Sequence, residues 1–174
     1  IKRTAVTLYV MYLAITVVEI LLLVAGDMPL FDALTISFGT AGTGGFGIKN
    51  DSMASYSPYL QMVVTVFMIM FGINFNVYYL IYKKRFKEIL KNSEVMAYLG
   101  IIAVSILLIA INIREMYSGM GTAVKDAAFQ VGSIITTTGF SSTDFDLWPS
   151  FAKSILVMLM FVGACAGSTG GGIK

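Results

Sequence analysis

The sequence predicts an all-α membrane protein assembled from a repeated unit: a spanning helix, a short half-helix, a glycine-rich loop and a second spanning helix. Three observations carry this. Of 174 residues, 57% are hydrophobic and only 13% charged, against about 25% charged in soluble domains. Such a chain cannot cover a water-facing surface with polar groups. Apolar stretches long enough to cross a bilayer alternate with apolar stretches that are too short. Each short stretch runs into a glycine-rich pentad, first Thr43-Gly44-Gly45-Phe46-Gly47 and later Thr137-Thr138-Gly139-Phe140-Ser141.

The elements follow in order. After the basic start Ile1-Lys2-Arg3, residues 4–25 are apolar except for Glu19 and a few hydroxyls, and they predict the first span. This segment is too long for a signal-peptide h-region and lacks a small-residue cleavage motif. Glu19 is costly against lipid and is expected to face protein or water. It reads either as a hydrogen-bonding group toward a neighbouring helix or as an ion ligand. Gly26-Asp27-Met28-Pro29 breaks the helix, with Asp27 placed to cap the next one and Pro29 in its first turn. That next helix, residues 30–40, is too short to span. A half-helix ending in a Gly-rich loop inside an apolar region is a re-entrant element.

Pro58 opens a helix expected to continue through Tyr82, its Met and aromatic residues serving packing and Asn74 and Asn76 bonding across helices. It stops at Lys83-Lys84-Arg85-Phe86-Lys87, which with Lys91 is the densest basic stretch. The positive-inside rule places that stretch in the cytoplasm and the pentads toward the outside. Residues 95–113 predict another span. Thr122 is placed to cap a short helix ending near Ile135, and the second pentad follows.

The repeat is visible in the spacing. A shift of 94 residues lays Asp32-Ala33 on Asp126-Ala127, Thr43 on Thr137 and Gly45-Phe46 on Gly139-Phe140. Beyond the pentads a shift of 91 lays Pro58 on Pro149, Val66 on Val157 and Gly72 on Gly163. The units divide as 1–93, complete, and 94–174, ending within a broken inner helix; the chain is expected to be part of a longer one. Both units run in the same direction, unlike the inverted repeats of many secondary transporters.

The pentads have the spacing of a K⁺-channel selectivity filter, in which backbone carbonyls replace the water shell of the cation. Taken alone, a Gly-rich pentad also fits an ordinary loop. Glycine keeps side chains out of the way and reaches both signs of φ. A half-helix whose C-terminal end faces the loop would add partial negative charge there. Histidine is absent and Cys165 is the single cysteine, which excludes multi-cysteine metal sites and intrachain disulfides. No nucleophile–base pair is apparent, and Gly170-Gly171-Gly172-Ile173-Lys174 lacks the phosphate-loop spacing. An enzyme is not expected.

Thr43-Gly44-Gly45-Phe46, Thr136-Thr137-Thr138-Gly139-Phe140, Gly72-Ile73-Asn74-Phe75-Asn76 and the terminal Gly167-Ser168-Thr169-Gly170-Gly171-Gly172-Ile173-Lys174 together resemble the TrkH branch of the Trk/Ktr/HKT cation-transporter superfamily. The resemblance covers essentially the whole chain. It implies four such units around one pore, this chain matching the second and part of the third. It implies that Thr43, Gly44, Gly45, Phe46, Thr137, Thr138, Gly139 and Phe140 form filter segments, with K⁺ as the transported ion held by backbone carbonyls and no covalent cofactor. It further implies that Gly163-Ala164-Cys165-Ala166-Gly167-Ser168-Thr169-Gly170-Gly171-Gly172 is an intramembrane gate. Five glycines there make a continuous helix unfavourable. Partners implied are the lipid bilayer of the cell membrane, the remaining pore units, a homodimer partner and a cytosolic nucleotide-binding regulatory subunit, with no nucleic acid. A Na⁺-conducting member of the superfamily, a secondary transporter with Gly-broken helices and a packing scaffold are the competing readings.

Overall fold

The computed structural model describes residues 2–173. Ile1 of the basic start and Lys174 of the terminal motif lie outside them. The regular elements among the described residues are α-helices, with two short 3₁₀ turns, in the order α1 (Lys2–Ala25), α2 (Leu30–Ala41), α3 (Pro58–Phe71), α4 (Phe75–Tyr82), α5 (Phe86–Leu90), α6 (Ser93–Ile113), α7 (Met120–Ile135) and α8 (Ser150–Val162).

Within α1, residues Val6–Ala25 are long and apolar enough to span, as are Ser93–Met116, which run from α6 into a 3₁₀ turn. Their side chains are largely exposed on one side: Tyr9, Leu13, Val17 and Leu21 on α1, Val104, Leu107 and Ile111 on α6. An apolar face of this kind is at home in lipid, not water. The half-helices α2 and α7 pack on α1 and α6 respectively, and α7 also packs on α3. That last contact joins the two units. Gly132 of α7 faces Ile69 there, and a Cβ on it would make only ordinary contact with Ile69 Cγ1 at 3.4 Å.

Three expected local features differ. Asp27 does not cap α2; it sits at φ 63 in the tight turn closing α1, its N–H bonded to Val24 O at 3.0 Å, and Pro29 takes the boundary position. The α7 helix begins at Met120 after Gly119, one turn before Thr122 could cap it. The helix opened by Pro58 does not run through to Tyr82. It breaks after Phe71 and turns by 92° into α4. Ser57 caps its start. Asn74, rather than bonding across helices, caps α4 by accepting from Asn76 N at 2.9 Å. Since Gly72 ends α3 and Gly163 ends α8, the 91-residue shift pairs two breaks, not just two glycines.

Three clusters make the interior. One surrounds α7 and takes in Val77 of α4. A second lies under α2 and contains Phe129 and Phe140 from the second unit. The third is aromatic, with Phe71, Phe75 and Tyr12 within about 6 Å of one another.

Candidate functional site

The two pentads adopt the same backbone. Thr43 and Thr137 have φ 48 and 57, and Gly45 and Gly139 have φ 64 and 92. Left-handed residues at first and third place alternate with ordinary ones, so successive peptide groups turn to one side rather than to opposite sides. Threonine in the left-handed region costs of order 1–2 kcal/mol and persists only where the surroundings hold it.

Hydrogen bonds supply that hold, and they repeat residue for residue. Gly44 N and Gly45 N both donate to Gly39 O, at 2.8 and 3.2 Å; Thr138 N and Gly139 N both donate to Ser133 O, at 2.9 and 3.3 Å. Thr43 N donates to Thr40 O and Thr137 N to Ile134 O, each at 3.0 Å. Every one of these N–H groups is turned back onto the last turn of its half-helix. The carbonyls of Thr43, Gly44, Gly45, Thr137, Thr138 and Gly139 take no part in the hydrogen bonds among the described residues. Donors are consumed and acceptors are left over, and a dehydrated cation requires that polarity.

The two aromatic residues diverge. Phe140 is buried at 1% exposure and Phe46 is exposed at 78%. The Phe140 ring packs across onto the first unit, where a Cβ on Gly39 would meet it at 3.0 Å. Its carbonyl is committed, accepting from Ser133 Oγ at 2.5 Å. The same hydroxyl accepts from Gly139 N at 3.1 Å. Ser133 thus holds the middle of the second pentad, from Thr138 to Phe140. Nothing in the sequence singled it out, since a serine late in a half-helix is ordinary there.

Residues 163–172 are not helical, as their composition predicts, and they lie against both pentads. Thr43 Oγ1 donates to Thr169 O at 3.0 Å, and Gly171 N donates to Thr137 Oγ1 at 2.7 Å. The break in the first unit receives the rest. Cys165 N donates to Gly72 O at 3.0 Å and Phe75 N to Gly167 O at 3.1 Å, and Thr169 Oγ1 donates to Phe71 O at 3.2 Å. Gly72 had a legible signal, its match to Gly163 at the repeat shift.

The segment after the first pentad is pinned separately. Gln61 Nε2 donates to Met53 O at 2.9 Å, while Lys125 donates to Gln61 Oε1 at 2.7 Å and pairs with Asp126 Oδ1 at 2.9 Å. In the first unit the matching aspartate, Asp32, accepts from Tyr56 Oη at 2.7 Å. Burial, and then the Asp32 carboxylate, push the Tyr56 phenol up from its ordinary value, so it remains a donor at working pH. Glu19 lies against the half-helix α2. It is fully buried, and its carboxyl faces the Thr40 hydroxyl. That hydroxyl donates to Ile36 O at 2.9 Å, and neither carboxyl oxygen has a partner among the described residues. The group that Glu19 approaches is thus on the neighbouring helix α2, as expected, and no other element supplies a partner among the described residues.

A family model described as TrkH, cation transport protein, matches residues 1–116 and 106–174. The chain belongs to the TrkH family. The Trk system potassium uptake protein TrkH of Salmonella typhimurium is 33% identical over 178 residues, covering 100% of this chain and 37% of that protein. The protein of the same name from Vibrio parahaemolyticus is 32% identical, and TrkG of Escherichia coli is 29% identical over 98% of the chain. The crystal structure of the potassium transporter TrkH from Vibrio parahaemolyticus superposes with a TM-score of 0.91 at 32% identity, over 98% of this chain and 38% of that one. The chain thus spans rather more than a third of these relatives. Membership in TrkH makes it a membrane protein of a transporter family, not an enzyme, and matches the all-α fold.

Proposed function

We propose that this chain contributes two adjoining pore units, residues 1–93 and 94–174, to a protein that takes up K⁺ across the cell membrane. The observation that carries the reading is the hydrogen-bond polarity of the pentads, with N–H groups tied inward and six carbonyls left without partners. In the proposed filter these carbonyls, with that of Phe46, replace the hydration shell of K⁺. The half-helices α2 and α7 end at the pentads, and their C-terminal partial negative charge favours a cation there. The relatives' names supply K⁺ as the ion.

Residues 163–172 are the barrier in this reading. They bond to the first threonine of each pentad, and their unwound backbone crosses the ion's path. The exposed Phe46 marks where a further unit packs, because its repeat partner Phe140 packs on the first unit in just that way. The basic stretch at Lys83, Lys84, Arg85, Lys87 and Lys91 faces the cytoplasm and the pentads face outward. A homodimer partner and a cytosolic nucleotide-binding regulatory subunit complete the proposal, on the family resemblance alone.

The test is cation flux through the full-length protein in vesicles. K⁺ flux exceeding Na⁺ flux is expected. A monodisperse protein that carries neither ion, or carries both equally, would defeat the proposal.

A further inference from the structure

We propose that Glu94 is a positioning residue for the glycine-rich loop, a carboxylate latch that holds residues 163–172 where they obstruct the pore. The inference rests on the reading of that loop as the barrier. Glu94 Oε1 accepts from Ala166 N at 2.5 Å, across 72 residues of chain. Other bonds holding the loop come from the pentad threonines and the break after α3, and these are neutral. The Glu94 bond comes from a third element, α6, and brings a full charge. Charged acceptors make shorter and stronger bonds to N–H donors. Ala166 lies in unwound backbone, whose N–H has no helical partner and needs an acceptor.

The packing shows why this bond matters. Between α6 and the loop lies a cavity of about 290 Å³, lined by Glu94, Tyr98 and Ile101 on one side and Gly163, Cys165 and Ile173 on the other. Across it the loop has space rather than close-packed side chains. Glu94 is itself exposed, on a helix end that is capped. Asn92 caps α6 by accepting from Val95 N at 3.3 Å, and Glu94 stands in the first turn, where the helix's positive end favours a carboxylate. A single charge-assisted bond suits a switch: its loss shifts the loop's equilibrium by about ten-fold, enough to matter and small enough to reverse.

The test uses the full-length protein, with amide hydrogen exchange and vesicle flux measured on the same preparations. Glu94→Ala is expected to speed exchange of residues 163–172 about ten-fold and to raise K⁺ flux. Glu94→Gln, which keeps a carbonyl acceptor but not the charge, is expected to fall between. Exchange in the first turn of α6 reports separately any fraying of that helix. Faster loop exchange with unchanged flux would support the latch and sink the barrier reading. Loop exchange equal to wild type in Glu94→Ala would overturn the latch, whatever the flux.

Discussion

A Cβ added to Gly45 would stand 2.0 Å from the carbonyl oxygen of Thr138. The two pentads therefore touch backbone to backbone, and the hydrogen of Gly45 is all that fits between them. Gly139, its repeat partner, has open space where a Cβ would go, but its φ of +92 still strains any side chain. The two glycines should respond differently. Gly45→Ser meets both a collision and an unfavourable φ, and is expected to lower the K⁺-over-Na⁺ flux ratio by about ten-fold or more, from strain of order 1–3 kcal/mol. Gly139→Ser meets the φ penalty alone and should lose less. Flux ratios unchanged in both variants would remove the pentads from the selectivity assignment.

Sidedness follows from the placement of charge. The stretch from Lys83 to Lys91 is dense in Lys and Arg while residues 49–57 hold one lysine and one aspartate, so the two should lie on opposite faces of the membrane. Asn50 is exposed and suits a cysteine probe. Asn92 does not, because it caps α6; Lys91, exposed beside it, is the better site. In a Cys165→Ser background, Asn50→Cys is expected to react with an impermeant thiol reagent from outside and Lys91→Cys from inside. Reaction from the same side would reverse the topology.

What the sequence revealed and what it hid divide along a physical line. The spans, the half-helices and the pentads were legible because apolar length and glycine clustering are local properties. The break after Phe71 was hidden within an apolar run. The donors and acceptors that make it tolerable, Gly72 O bonded to Cys165 N and Phe75 N bonded to Gly167 O, come from residues more than 90 positions away. Ser133 and Glu94 escaped notice for the same reason: each is an ordinary residue on its own helix, and only the fold gives it a partner. Asp27 was read as a cap from its type and position, but a left-handed turn needed the residue more.

Glu19 offers a stability test. A buried carboxyl without a hydrogen bond costs about 1–3 kcal/mol relative to a satisfied or apolar group of similar shape. Glu19→Met keeps the volume and removes the unpartnered oxygens. It is expected to raise the thermal midpoint of the detergent-solubilised full-length protein by a few degrees, with K⁺ flux retained. A fall in the midpoint would show that the carboxyl is satisfied in the full-length protein, by Thr40 or by a further partner.

The loop of residues 163–172 can be removed with little strain because its ends already meet. Ala164 N donates to Gly171 O at 3.0 Å, and a Cβ on Gly163 would lie 2.4 Å from the Cα of Gly172. Such a closed neck is the geometry of a compact loop that carries its own contacts. Deleting residues 165–171 joins Ala164 to Gly172 across that neck. The deletion costs the bonds to Gly72, Phe75, Phe71 and Thr43, that between Gly171 N and Thr137, and the Glu94 bond to Ala166 N. The core clusters, apart from Cys165, stay as they are. If the loop obstructs the pore, its closed state outweighs the open one by a few kcal/mol, and the deletion should raise flux by about ten-fold or more. If it only packs, the same bonds hold α3 and α4 at their 92° bend, and the deletion should lower the thermal midpoint without raising flux. Flux into vesicles, measured with monodispersity and thermal midpoint on the same samples, separates the two. A folded deletion whose flux does not exceed wild type would rule out the loop as the barrier.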